Sequence, residues 1–152
     1  MQKQSFPQTA GPWSLALVTA ITFFLPAGGA VVAIRNLARL GEIDARRSLE
    51  LTVATILVFA VGYSTLLFVA QPNLTAPSNL SPTVTGALSL GTAAAAFLYQ
   101  RREYVAWRQS HPGTGTAPWY SALGWGLVYQ FLTAFAAIPF FLVLALVSSA
   151  GV

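Results

Sequence analysis

Four long apolar runs separated by three short polar gaps organise this chain. A helix that crosses a bilayer needs roughly 20 apolar residues. Runs at about 13–34, 48–70, 82–100 and 118–148 reach that length. The pattern predicts an all-α fold: a polytopic membrane protein, one domain over residues 1–152, with four transmembrane helices in a bundle.

Local signals mark the ends of these runs. The first continues as the amphipathic IRNLARL to Gly41, a C-cap residue. Asp44 is placed to N-cap the second. Ser81-Pro82 supplies an N-cap followed by a proline at N1, where its missing N–H costs nothing. Pro118 opens the fourth run after the loop HPGTGTA. Pro26, followed by Gly28-Gly29, lies inside the first run, and Pro139 inside the fourth. Each is expected to kink its helix by removing an i→i−4 hydrogen bond. Such breaks occur at transport sites, and proline and glycine are also common in membrane helices generally.

The third run reads as the most buried helix. Thr85, Ser89 and Ala93 recur every fourth residue, with Thr92 and Ala96 as a parallel row. Small residues at this spacing let two helix backbones approach closely. The second run is bulkier and is expected to face lipid or another subunit. Gln130 is the strongly polar side chain near mid-membrane, and Tyr63 and Ser64 lie at similar depth. Its amide is costly in hydrocarbon unless bonded. An interhelical tie is one reading; contact with a substrate or chromophore is the other.

Charge adds orientation. Arg35, Arg39, Arg46 and Arg47 fill the first gap, and Arg101, Arg102 and Arg108 the third, while residues 71–81 carry no charge. Short loops rich in Lys and Arg stay cytoplasmic. Loops 35–47 and 101–117 are therefore expected in the cytoplasm, with both termini on the other side. Trp107, Trp119 and Tyr120 would form an aromatic belt at the cytoplasmic interface, and Trp13 would mark the opposite one. The first run is too long for the apolar region of a signal peptide and reads as retained.

Composition narrows the chemistry. The chain is 55% hydrophobic and 8% charged, with mean hydropathy +0.64. Soluble domains carry about 25% charged residues, so lipid has to be the main solvent. No cysteine is present and His111 is the only histidine. Thiolate chemistry and multi-histidine metal sites within one chain are excluded. The four acids, Glu42, Asp44, Glu50 and Glu103, lie in or beside the basic gaps, leaving no carboxylate at depth for a proton relay. No basic stripe with interleaved aromatics points to nucleic acid. No catalytic set, metal site or cofactor is expected.

Two stretches, LPAGGAVVAIRNLARLGEIDARRSLELT (25–52) and LYQRREYVAWRQSHPGTGTAPWYSALGWGL (98–127), resemble an uncharacterised group of small bacterial integral membrane proteins. The resemblance rests on the Gly-rich stretch, Asn36, Leu40-Gly41 and the aromatic-led last run. It implies the topology and carries no activity. It singles out Asn36 as a residue that caps, or bridges to, the third loop. The expected function is a non-enzymatic accessory or structural subunit of a larger bacterial membrane complex, respiratory or photosynthetic assemblies being possible settings. Its partners would be the bilayer and other membrane subunits. The alternative is a small oligomeric channel or carrier, its path lined by Gln130, Tyr63 and the proline-kinked helices.

Overall fold

The computed structural model describes residues 11–70 and 80–149, with backbone alone for residues 67, 69, 70 and 80–85. The middle loop and the first and last residues lie outside the described residues. So do the side chains of Ser81, Pro82 and Thr85. The described residues are all helical or loop: α1 (Leu15–Phe24), α2 (Pro26–Leu40), α3 (Ala45–Ala70), α4 (Leu80–Ser110) and α5 (Trp119–Ser149).

The first apolar run is not a span. It breaks at Leu25, whose φ −129° and ψ 75° lie outside the helical region, into α1 of 10 residues and α2 of 15. At 1.5 Å per residue these are about 15 and 22 Å long, short of the roughly 30 Å hydrocarbon core. Proline disfavours helical geometry in the residue before it and is at home at N1 of the helix it opens. Pro26 therefore ends one helix and starts another. The expected kink is a complete reversal, and α1 and α2 pack on each other as a hairpin. The hairpin's two ends meet, since the Trp13 N–H donates to Asn36 Oδ1 at 2.7 Å. Trp13 thus lies at the basic end of the molecule, not opposite to it.

Two helices are long and apolar enough to cross a membrane, not four: α3, over Ala45–Leu66, with mean hydropathy 1.7, and α5, with 2.4. α4 has 31 residues but is richer in small and polar side chains. Pro139 lies inside α5 without ending it.

The central element is α2, which packs against all four other helices. Its buried residues run from Pro26 to Leu37, including Gly28, Gly29, Val31, Val32 and Asn36. The expectation that the third run would be the most buried is overturned. α4 packs on the hairpin through Ser89 and Ala93, 7% and 4% exposed, while Gly86, Ala87, Leu90, Gly91, Ala94 and Ala95 on its other face are exposed. Small residues allowed α4 one close crossing, and α2 holds the middle because its own glycines bring two neighbours in. A Cβ on Gly28 would stand 1.9 Å from the Gly126 carbonyl oxygen of α5, and one on Gly29 2.2 Å from Thr22 Cα of α1. α3 turns Val53, Leu57, Val58, Val61 and Leu66 outward, as its bulk suggested.

Capping follows the local signals. Gly41 closes α2 in the left-handed conformation at φ 83°, and Asp44 Oδ1 accepts from the Arg47 N–H at 2.7 Å.

Candidate functional site

Polar side chains gather at two levels. The deeper group surrounds the hairpin bend. α2 begins inside the protein, so its first N–H groups have no helical partner. Pro26 has no N–H to satisfy, the Leu25 N–H returns to Ile21 O at 2.7 Å, and the Gly28 N–H donates to Gln130 Oε1 at 3.1 Å. Gln130, reaching across from α5, is thus the side-chain cap of a helix that starts in mid-protein. Tyr63 of α3 lies against the same amide. Next to it, the Ser64 hydroxyl is within 2.7 Å of both Ala60 O on its own helix and Ala137 O on α5. That second acceptor lies close to Pro139, where a missing N–H loosens the helical hydrogen bonding.

The tie expected of Gln130 is made to the Gly28 backbone N–H, with the Tyr63 side chain against the same amide. Gln130→Leu would strip a buried N–H of its acceptor. The expected loss is about 1–2 kcal/mol, against about 0.6 for an ordinary interhelical bond in a membrane. Chemical unfolding in detergent measures it; a loss near zero would show that the cap contributes nothing.

The second group lies at the basic end. Asn36 is fully buried. Its Oδ1 accepts from the Trp13 N–H, and its Nδ2 donates to Gln100 Oε1 at 2.8 Å. One amide thus joins the start of α1 to α2 and to α4, ten residues before the end of that helix. The Trp13 indole donates to Ser121 Oγ at 2.9 Å, and the Ala117 N–H to Pro12 O at 3.1 Å, tying in the start of α5. Arg39 lays its guanidinium 4.1 Å from the centre of the Trp13 ring and donates to Gly11 O at 3.1 Å. Burial lowers the pKa of this interfacial arginine, and the neighbouring Arg35 charge lowers it further. Arg35 stacks 3.9 Å from the centre of the Trp125 ring, with Tyr129 at 5.3 Å.

The other residues singled out in the sequence are more dispersed. Thr92 bonds Leu88 O of its own helix, and Ala96 packs at the edge of the core. Trp107 lies beside Gly11, whereas Trp119 and Tyr120 project outward at the start of α5. Arg46 and Arg47 pair with Glu50 at 2.9 and 3.7 Å, and exposed Arg102 lies 3.9 Å from Glu103. Arg101 and Arg108 are exposed. His111 stacks on Trp107 with its Nδ1 2.9 Å from Ser110 Oγ. Gln100, Ser121 and Gly126 were not anticipated. Gln100 reads in sequence as the polar end of a helix, and nothing in local spacing shows that it faces Asn36.

Among the described residues no cluster of acids and histidine is arranged to hold a metal ion, and no buried side-chain N or O atom lacks a hydrogen-bond partner. The arrangement ties helices together, and its polar atoms are already satisfied. No family model, curated protein or solved structure matches this chain.

Proposed function

We propose that the chain is a non-enzymatic integral membrane protein, an accessory subunit that receives a helix of a larger membrane complex along α4. The observation that carries this reading is the outward face of α4. Ala87, Gly91 and Ala95 recur every fourth residue there and are exposed. A Cβ on Gly91 would meet nothing within 4 Å. Lipid-facing positions carry no requirement for small side chains, whereas a close helix crossing does. Beside this face runs a mostly apolar crevice lined by Val58, Phe59, Gly62, Tyr63, Thr65 and Leu66 of α3 and Leu88 of α4. Its lining suits a helix side chain better than a hydrophilic solute, which favours a subunit over a carrier.

In this reading α3, α4 and α5 cross the membrane and the α1–α2 hairpin dips in from the cytoplasmic side. α4 carries no charge from Leu80 to Gln100, about 30 Å of helix, and Gln100 is bonded at the basic end. Gly11 then shares a side with the Arg-rich loops, in place of the opposite side that four crossings would give. A reporter active only in the cytoplasm is expected to work ahead of Gly11, after Gly41 and after Gly113, and to fail after Val152. A silent reporter ahead of Gly11 would restore a crossing first segment.

The subunit reading is tested by purification from native membranes in mild detergent. The protein is expected to bring down a fixed membrane partner, and Gly91→Leu to release it while leaving the protein folded. Recovery of the chain alone, or unchanged capture with Gly91→Leu, would overturn docking along α4.

A further inference from the structure

Among the described residues no acid pairs with Arg35. Arg35 lies five residues before the end of α2, about 8 Å along the helix axis from Leu40. Trp125 lies at a matching depth, six residues or about 9 Å into α5 from Trp119. Three of the four acids at this end have other partners, Glu50 with Arg46 and Arg47, Glu103 beside Arg102 and Asp44 at the start of α3, while Glu42 is exposed beyond the Gly41 cap. Among the described residues Arg35 makes no hydrogen bond and no ion pair. Its contacts are the faces of Trp125 and Tyr129, themselves stacked with ring centres 5.7 Å apart. Trp125 is 38% exposed, on the outer surface of α5.

A cation–π contact with two rings holds the guanidinium by its charge, and among the described residues its N–H donors are committed to no acceptor. Those donors form a planar fork suited to phosphate. Arg39, one turn on, adds positive potential and is itself held by Trp13 and Gly11 O. We propose that Arg35, held over the Trp125 and Tyr129 rings, binds the phosphate of an anionic phospholipid whose acyl chains lie along α5. Charge complementarity selects the headgroup, and the depth of the arginine suits a phosphate at the boundary between headgroups and hydrocarbon. The proposal rests on the membrane reading and not on the subunit reading.

The test uses the purified full chain in phosphatidylcholine vesicles doped with spin-labelled phosphatidylglycerol or spin-labelled phosphatidylcholine. Flotation after an alkaline wash comes first. A chain that fails to float removes the membrane reading itself, and with it this site. For a floating chain the preferred lipid is phosphatidylglycerol, and Arg35→Gln is expected to lower that preference about fivefold. Arg35→Lys should restore only part, since an ammonium offers no two-pronged contact. Trp125→Leu, which alters an outward-facing side chain, should also lower it. Arg108→Gln, an exposed charge in the last turn of α4, should leave it close to unchanged. Equal preference in the wild-type chain and Arg35→Gln would overturn the site. So would an equal loss in Arg108→Gln, which would mean diffuse charge attraction. Displacement of the labelled lipid by millimolar inorganic phosphate would point to a soluble anion and likewise overturn it.

Discussion

Gly28→Ala is expected to destabilise the protein by at least about 3 kcal/mol, the upper end of what overpacking costs. Inside a helix this substitution normally stabilises by about 0.5–1 kcal/mol, because glycine loses more backbone entropy on folding. The sign reverses here because the added methyl would meet backbone. It would stand 1.9 Å from the Gly126 carbonyl oxygen, 2.8 Å from its carbon and 3.1 Å from the Gln130 nitrogen. No flexible side chain is there to yield, so α5 would have to move off α2 and the Gln130 cap would be lost with it. Gly62→Ala and Gly91→Ala provide the contrast, since nothing lies within 4 Å of either Cβ. Both should be neutral or slightly stabilising. Detergent unfolding monitored by circular dichroism reads all three. A Gly28→Ala protein that unfolds with the wild type would show that the close crossing between α2 and α5 does not form.

Asn36→Leu should be nearly as damaging, at about 2–5 kcal/mol. It removes the acceptor of the buried Trp13 N–H and the donor to Gln100 Oε1 together, and each buried polar group left without a partner costs about 1–3 kcal/mol. Gln100→Leu alone leaves the Asn36 Nδ2 only its long contact to Trp13 O at 3.4 Å, while the double substitution removes both ends of one bond. The two losses should therefore combine to less than their sum, as in any shared network. Unfolding midpoints of the four proteins check this. Strict additivity would mean that Asn36 and Gln100 act separately and that the bridge between the hairpin and α4 is not made. Trp13 fluorescence gives a second readout, because loss of the bridge should expose an indole that is fully buried and bonded to Ser121 in the intact protein.

Asn36 and Gly28 stand out in the sequence, but the residues they meet, Gln100 and Gly126, do not. Helix content and the presence of helices long and apolar enough to cross a membrane were legible because they depend on sums over many residues: low charge and long apolar runs. Gly41 and Asp44 were legible because capping is decided within about four residues. The outward face of α3 was legible because its bulk has no close neighbour to accommodate. The reversal at Leu25-Pro26 was not. A proline within an apolar run is compatible with a kink in one long helix and with a hairpin of two short ones, since both start from the one helical hydrogen bond that proline cannot make. The choice depends on whether the two halves bury more surface against each other than apart. That is settled by Gly29 against Thr22, Gly28 against Gly126, and a Gln130 side chain 102 residues away from the N–H it caps. The small-residue rows of α4 likewise announced close packing without saying which row would meet the hairpin and which would face outward. Local periodicity determines which residues share a helix face. Only the packing of all five helices decides what that face meets, because the deciding contacts join residues that no local window contains.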